Sequence, residues 1–361
     1  MKIVTVVGAR PQFIKAAVVS RELRRNHEEI LVHTGQHYDE NMSEIFFREM
    51  DIPEPDYNLG IAGGSHGKMT GNMLIAIEEV LTKEKPDVLL VYGDTNSTLA
   101  AALAAVKLHI PVCHIEAGNR LGTLSNPEEV NRICTDHVSS LLLCCTKSSM
   151  TFLKEEGLEK RGILVGDPMY DAFLYYSSKI EDRQLELILD LYGSTVEIPE
   201  QFYYMTCHRE ENTNTTEKLY EILSAVNALS APTIYPVHPR NRGKVKELCE
   251  QNNFKNIITT QPFGYLQSIK LVKNAKKIIT DSGGLQREAF FAKVPCVTVF
   301  DYVVWPETMI GNANQLAKAD KKDILKKLSV EVVWNEGYQP FGAGDSAQKI
   351  VEEMENKYGI S

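Results

Sequence analysis

The sequence predicts an α/β protein built from two Rossmann-like, doubly wound domains in tandem. Its 361 residues exceed the ~100–200 residues of one ordinary domain. Short apolar runs rich in β-branched residues alternate with segments of helical period in both halves, as in parallel sheets that helices cover on both faces. Ligands of such sheets bind outside the carboxyl ends of the strands, so we expect an active-site cleft between the two domains.

The N-terminal domain is predicted to span residues 1–170. Its predicted strands are the apolar runs 2–7, 30–33, 88–92, 112–115, 141–145 and 163–165. Helices are expected at 11–25, 39–50 and 98–108, and a further helix is expected to begin at Pro127. Each strand therefore ends in a turn that opens a helix, which is the geometry of a βαβ unit.

The C-terminal domain is predicted to span residues 171–345. A charged segment, 170–191, is expected to be helical and to lead through a polar loop, 192–199, into the second domain. The strands predicted there are 202–206, 234–237, 257–259, 277–280 and 296–299. The helices predicted there are 216–229, 241–251, 265–274 and 285–293, and residues 346–358 form a last amphipathic helix.

Composition and charge exclude several classes of protein. Hydrophobic residues make up 43% and charged residues 24% of the chain, which is typical of a soluble globular protein and not of a disordered one. The net charge of −9 disfavours nucleic acid or an anionic membrane as a partner. Seven scattered cysteines without a Cys-x-x-Cys pair indicate a reducing compartment. With no apolar stretch of ~18 residues, we expect a cytoplasmic protein.

Two strand-to-helix turns are candidate anion sites. The segment from Gly8 to Lys15 combines a glycine turn with Arg10 and the amino end of a helix, where an anion is favoured. It could equally be an ordinary turn with solvated basic residues, since it matches no phosphate-loop motif. In the second domain, Ser282, Gly283 and Gly284 open a helix whose backbone N–H groups could hold a diphosphate, and Glu288 could accept from ribose hydroxyls.

Acids and histidines also stand where predicted strands end. Asp94 and Glu116 follow two strands of the first domain, and Glu128 lies in the first turn of a helix. Asp94 could simply cap a helix and Glu128 could complement its dipole, whereas an acid that ends an apolar strand tends to be partly buried with a shifted pKa. His208 and His238 end consecutive strands of the second domain. None of these residues has metal-ligand spacing, so no metal is predicted.

Together these segments resemble the non-hydrolysing UDP-N-acetylglucosamine 2-epimerase family. The matching residues are 8–15, 36–37, 93–95, 114–118, 127–132, 166 with 171–172, 208–210, 236–238, 281–288, 306–307 and 342–345. The resemblance implies the GT-B fold, a homodimer, and a last helix, about 346–361, that packs back on the N-terminal domain. It implies no cofactor.

The resemblance also implies a reaction and a set of residues. A UDP-linked N-acetylaminosugar would be inverted at C2, UDP-GlcNAc to UDP-ManNAc, by elimination of UDP to a 2-acetamidoglucal and re-addition. Proton transfer at both faces of C2 calls for several acid/base groups, and the catalytic residues implied are Asp94, Glu116, Glu128 and His208. The residues implied in UDP or substrate binding are Arg10, Lys15, Arg132, His238, Phe263, Ser282, Gly283, Gly284 and Glu288.

Departures from the family pattern keep other substrates and classes open. Phe263 and Ser268 replace residues that line the uridine pocket in familiar bacterial members, and segments 36–43 and 166–171 look closer to relatives that act on modified sugars. Alternative substrates are UDP-2,3-diacetamido-glucuronate and UDP-N-acetyl-L-fucosamine. Alternative classes are a GT-B glycosyltransferase, a hydrolysing epimerase and a non-catalytic sugar-nucleotide sensor. The acids Asp94, Glu116 and Glu128 favour proton chemistry over simple glycosyl transfer, and together with His208 they argue against a non-catalytic sensor.

Overall fold

The computed structural model describes residues 1–35, 49–180 and 187–359. The chain divides into two compact units, one of Met1–Tyr175 with Gln339–Ser361 and one of Tyr176–Tyr338. The Gln36-His37 motif and most of the helix predicted at 39–50 lie outside the described residues. Within the described ranges, the helices are all too short or too polar to cross a bilayer.

The first unit is built on a parallel sheet. Its strands are β1 Lys2–Val7, β2 Glu28–His33, β3 Tyr57–Asn58, β4 Val88–Tyr92, β5 Val112–Ile115, β6 Leu141–Cys144 and β7 Gly162–Leu164. The helices between them are α1 Arg10–Leu23, α2 His66–Glu84, α3 Asn96–Lys107, α4 Pro127–Val138, α5 Lys147–Glu155 and α6 Pro168–Ile180. The order is β3-β2-β1-β4-β5-β6-β7, so the chain reverses its direction of winding between β1 and β4.

The second unit repeats this plan. A short antiparallel pair, β8 Ile188–Leu189 and β9 Thr195–Val196, precedes the parallel strands β10 Tyr203–Thr206, β11 Thr233–Pro236, β12 Ile257–Thr260, β13 Ile278–Thr280, β14 Cys296–Val299 and β15 Asn314–Ala317. The helices are α7 Glu210–Thr213, α8 Thr216–Asn227, α9 Arg242–Gln251, α10 Tyr265–Asn274, α11 Gly283–Phe291 and α12 Lys321–Leu328. The order β12-β11-β10-β13-β14-β15 places the reversal between β10 and β13.

The predicted α/β class with two Rossmann-like sheets is confirmed. One error lies in segment 170–191, which was predicted to be one helix: α6 is described as Pro168–Ile180, and Ile188–Leu189 pairs as a strand with Thr195–Val196. The short strands β3 and β15 were missed because their sequences, Tyr-Asn and Asn-Gln-Leu-Ala, contain no apolar run.

The last helix, α13 Ser346–Tyr358, belongs to the first unit and packs against α1. The Nε2 atom of His27 lies 2.8 Å from a carboxylate oxygen of Glu355, and the hydroxyls of Ser140 and Tyr358 are 2.7 Å apart. Asp171 accepts from the backbone N–H of Ala347 at 2.7 Å. These polar contacts tie both ends of the helix to the sheet domain that holds β1.

Apolar faces of the helices close the core of each unit. In the first, Val4, Val6, Leu89 and Val91 of the central strands pack against α2 and against the alanines of α3. Small alanine side chains let α3 approach the sheet closely, so its amino end lies directly above the end of β4. The core thereby fixes the turn that carries Asp94.

Candidate active site

Glu116 directly follows β5 and forms a buried ion pair. Its Oε2 atom lies 2.6 Å from Nζ of Lys15, and the two side chains are only 9% and 2% exposed. The Glu116 backbone is left-handed, with φ +68°, which costs a non-glycine residue about 1–2 kcal/mol. A strained backbone and a desolvated charge in one residue are typical of a functional site.

The Lys15 side chain is therefore buried, whereas a basic residue that only flanks an anion-binding turn would be exposed to solvent. Lys15 stands in the second turn of α1, and its side chain points into the protein beside Gly93 as well as Glu116. A Cβ atom built on Gly93 would be 3.5 Å from the Lys15 ammonium and 3.6 Å from Oε1 of Glu116. The structure thus joins the turn after β1, the turn after β4 and the end of β5 around one ion pair.

Asp94, beside this pair, is held by Arg132 of α4. One guanidinium nitrogen of Arg132 pairs with Asp94 and another pairs with Glu129. Asn131 adds a hydrogen bond of 3.0 Å to the Asp94 carbonyl. Burial alone would lower the pKa of Arg132, but the charges of Asp94, Glu129 and Glu116 raise it. Three carboxylates and two cations thus form one electrostatic group.

Glu128 and Glu129 are neighbours with different surroundings. Glu129 is buried and accepts from Arg132 and from the backbone N–H groups of Leu121 and Gly122, at 2.7 and 3.1 Å. Glu128 is half-buried at the amino end of α4, and no described residue holds its carboxylate by a hydrogen bond or ion pair. Glu128 is the acid of this pair that is available to a ligand.

Gln12 organises the turn that begins α1, which sequence reasoning missed. Its side-chain oxygen accepts from the N–H groups of Gly8 and Ala9, at 2.8 and 3.0 Å. Its amide nitrogen donates to the Tyr92 carbonyl at 2.7 Å, at the end of β4. Arg10, predicted to bind UDP, is the half-buried first residue of α1 in the same turn. The turns after β1 and β4 are therefore locked together across the point where the sheet reverses.

In the second unit, His208 and Asp281 meet across the equivalent reversal. His208 follows β10, Asp281 follows β13, and Nδ1 of the histidine lies 3.0 Å from the carboxylate. Asp281 is 1% exposed and also accepts from the backbone N–H groups of His208 and Arg209, both at 2.9 Å. Burial would raise the pKa of Asp281, but His208 and these N–H groups lower it to about 2. The carboxylate orients the imidazole so that its Nε2 atom faces away from it.

This lowered pKa predicts a pH dependence of stability. An acid whose pKa falls from 3.8 to about 2 on folding contributes about 2 kcal/mol to the free energy of unfolding, since a change of one in pKa corresponds to about 1.36 kcal/mol. The contribution is complete above the unfolded pKa and is lost as the pH falls through about 2. We expect the stability difference between the wild type and Asp281→Asn to shrink by about that amount between mildly acidic pH and pH 2 in urea titrations. Asp301→Asn, at an exposed aspartate of the same unit, should show no such change.

The remaining predicted binding residues lie around α11 and in the core of the second unit. The Ser282 hydroxyl caps α11 by accepting from Leu285 N–H at 3.4 Å. A Cβ atom on Gly283 would be 3.3 Å from Val304 and 3.5 Å from the Trp305 indole nitrogen. Gly284 and buried Glu288 belong to the same helix. Phe263 packs in the core with Tyr204 and Leu271, and exposed His238 accepts from Arg240 N–H at 3.2 Å.

One group of side chains could hold a metal. Ligand atoms of Glu116, Cys145 and Asp167 lie within 4.8 Å of one another, and all three residues are buried. The sequence did not predict this cluster, because its members are far apart along the chain. The Lys15 ammonium already lies 2.6 Å from Glu116, so a metal ion would have to displace a paired cation. The geometry favours a carboxylate kept charged by lysine.

Comparisons with known proteins agree with this description. The family model for UDP-N-acetylglucosamine 2-epimerase matches residues 21–355. A UDP-N-acetylglucosamine 2-epimerase homolog of Methanococcus maripaludis is 48% identical over 99% of this chain and 100% of its own length. The UDP-2,3-diacetamido-2,3-dideoxy-D-glucuronate 2-epimerase of Pseudomonas aeruginosa is 44% identical over 98% of this chain and 99% of its own. The crystal structure of Methanocaldococcus jannaschii UDP-GlcNAc 2-epimerase with UDP-GlcNAc and UDP has a TM-score of 0.89, 38% identity, and coverage of 99% and 100%.

The chain has two Rossmann-like units of the GT-B type. One unit carries acids at its strand ends, and the other carries a Ser-Gly-Gly helix start. These features define the class of enzymes that act on nucleotide sugars. Since the family model covers nearly the whole chain, the chain belongs to the UDP-N-acetylglucosamine 2-epimerase family. It is therefore an isomerase, and the family predicted from the sequence motifs is confirmed.

Proposed function

We propose that this protein inverts C2 of a UDP-linked N-acetylaminosugar, with UDP-GlcNAc and UDP-ManNAc as its substrate pair. The observation that carries the proposal is the group that Asp94 and Glu116 form with Lys15 and Arg132. Glu128 lies in the first turn of α4, the helix that carries Arg132. A carboxylate kept charged by a buried cation can remove a proton, and a second acid can return one to the other face. The whole-length similarity to a structure solved with UDP-GlcNAc and UDP supports the same substrate class.

The first unit supplies the acids of the proposed reaction. One acid of the first unit removes the C2 proton while the C1–O bond to UDP breaks, which leaves 2-acetamidoglucal and UDP. The proton is then returned to the opposite face, and UDP re-adds at C1. The diphosphate gains negative charge as it leaves. The amino end of α11 with Ser282, Gly283 and Gly284 offers N–H groups that would stabilise it.

Turnover in deuterated water tests this mechanism. With UDP-GlcNAc we expect deuterium at C2 of both epimers in proton NMR spectra, because the removed proton exchanges with solvent. Epimers that interconvert without incorporating deuterium would contradict the elimination. Release of free sugar and UDP would instead indicate a hydrolysing epimerase.

A second substrate is favoured by one observation. The relative from Pseudomonas aeruginosa named for UDP-2,3-diacetamido-2,3-dideoxy-D-glucuronate is 44% identical over 98% of the chain, so a uronate with a second acetamido group is an alternative. An NMR assay of both UDP sugars at equal concentration would decide between them. The ratio of their kcat/KM values measures the discrimination directly.

We also propose that the enzyme works as a cytoplasmic homodimer without nucleic acid as a partner. The acidic net charge of −9 supports the absence of a nucleic-acid partner, and the free state of the seven cysteines, all of which are among the described residues, supports the compartment. The homodimer is what the family resemblance implies. Light scattering coupled to size-exclusion chromatography should give the mass of two chains. A monomeric mass across the concentrations used for activity would contradict the dimer.

A further inference from the structure

His114, in the middle of β5, is completely buried between two oxygen acceptors. Its Nε2 atom lies 2.7 Å from the Gly93 carbonyl oxygen, and its Nδ1 atom lies 2.7 Å from Oδ1 of Asp136. A carbonyl can only accept a hydrogen bond, and so can an ionised carboxylate. Burial would raise the pKa of Asp136, but His114 and Arg120 lower it, and the Arg120 guanidinium with the Gly118 N–H stabilises the ionised carboxylate independently of His114. Both ring nitrogens of His114 must therefore carry hydrogen, which makes it an imidazolium.

The second oxygen of Asp136 continues the network. It accepts from the Gly118 N–H at 3.0 Å and from the Arg120 guanidinium at 2.7 Å. Arg120 in turn pairs with both carboxylate oxygens of Glu156, each at 2.7 Å. Two cations thus alternate with two anions, and this pairing offsets the desolvation of each charge.

This network connects the segments that carry the proposed catalytic acids. Gly93 immediately precedes Asp94, and His114 and Gly118 lie two residues before and two residues after Glu116. Asp136 lies one turn beyond Arg132 on α4, the helix that begins beside Glu128. One histidine and its carboxylate therefore contact three separate parts of the chain.

Helix α4 has the composition that such a role requires. Its buried residues are all polar, namely Glu129, Asn131, Arg132, Thr135 and Asp136, whereas its Val130 is 38% exposed. A surface helix ordinarily buries an apolar stripe. Because the fully buried residues of α4 are polar, hydrogen bonds and charges contribute to its position beside α3 and β5 in addition to the apolar packing of Val138.

We propose that His114 is a positioning residue for C2 epimerisation: as an imidazolium between Gly93 and Asp136, it sets the separation of the turns that carry Asp94 and Glu116. The effect of His114 on turnover rests on the proposed function, whereas the protonation state of its ring does not depend on that function. The ring contacts no reacting atom. A displacement of the acids by ~1 Å can lower a rate by about 10²-fold.

Kinetics of His114→Asn and Asp136→Asn test the positioning role. The amide of asparagine cannot donate at both ends, and the asparagine at 136 loses an ionised acceptor. We expect kcat to fall by about 10²-fold in both variants, with KM and the Kd of UDP within about twofold, since Ser282 and Gly283 belong to the other unit. The control is Glu29→Gln, which removes a buried charge of the first unit that is bonded to Thr5, Ser20 and Arg24. It should leave kcat per folded molecule unchanged.

Nitrogen-15 NMR of histidine-labelled protein tests the protonation independently of catalysis. We expect both ring nitrogens of His114, assigned by comparison with His114→Asn or Asp136→Asn, to show directly bonded hydrogens under the conditions of the kinetic assay. One unprotonated ring nitrogen would overturn the proposal, and so would a wild-type kcat in a folded variant. If the wild type exchanges no C2 proton with any UDP-aminosugar, the proposed function fails, whereas the NMR result still decides the state of His114.

Discussion

Replacement of Glu116 by glutamine will lower kcat by about 10³-fold, the range expected when a general acid or base is removed. Glutamine keeps the size of the side chain and tolerates the left-handed backbone at φ +68° no worse than glutamate does. Its amide oxygen can still accept from Lys15, but it cannot take a proton from C2. We expect the Kd of UDP to change by less than about twofold. Initial rates from NMR and UDP titration calorimetry measure the two effects.

The matched control is Glu28→Gln at the start of β2. That variant makes the same change of charge in the same unit, at an exposed side chain whose nearest described cation, Lys2, is 3.7 Å away. Its kcat should stay within about twofold of the wild type, as for most surface substitutions. Normal turnover in folded Glu116→Gln would remove Glu116 from the chemistry and leave Asp94 and Glu128 as the acids.

The positions of the strand-end residues could be predicted because they depend on local pattern. Apolar runs mark β4, β5, β10 and β13, and parallel strands bring their carboxyl ends to the same edge of a sheet. Once the runs are recognised, the residues that follow them must lie near one another. This is why Asp94 and Glu116 lie together, and why His208 meets Asp281.

The partners of these residues could not be predicted, because long-range packing determines them. Lys15 was assigned to UDP binding from its place near the start of a helix, and its pairing with Glu116 was not foreseen. Most of α1 is buried, and one element packed against it is α13, more than 300 residues further along the chain. The polar spacing of Glu129, Arg132 and Asp136 at one face of α4 was visible in the sequence and is a signal of a buried polar face. The partners of this face outside the helix could not be predicted from the sequence.

Replacement of Lys15 by methionine will have the largest effect on stability. Methionine fills a similar volume without charge, so the variant leaves the Glu116 carboxylate buried without its ammonium partner. Breaking a buried pair in this way costs about 3–5 kcal/mol, which urea denaturation will measure. Glu116 will take up a proton to reduce that cost, and activity at neutral pH will fall with it. If Lys15 instead served mainly to bind UDP, the Kd of UDP would rise while stability changed little.

The double variant Lys15→Met/Glu116→Gln separates these effects. Neither charge remains, so we expect it to be more stable than Lys15→Met alone, with a coupling free energy of about 2 kcal/mol in the double-mutant cycle. Turnover should stay as low as in Glu116→Gln, because restored stability does not restore a base. Additive losses of stability would mean that the 2.6 Å pair contributes nothing to folding. Recovery of turnover in the double variant would mean that Lys15 restrains a different catalytic group, for which Asp94, beside the same turn, is the nearest candidate.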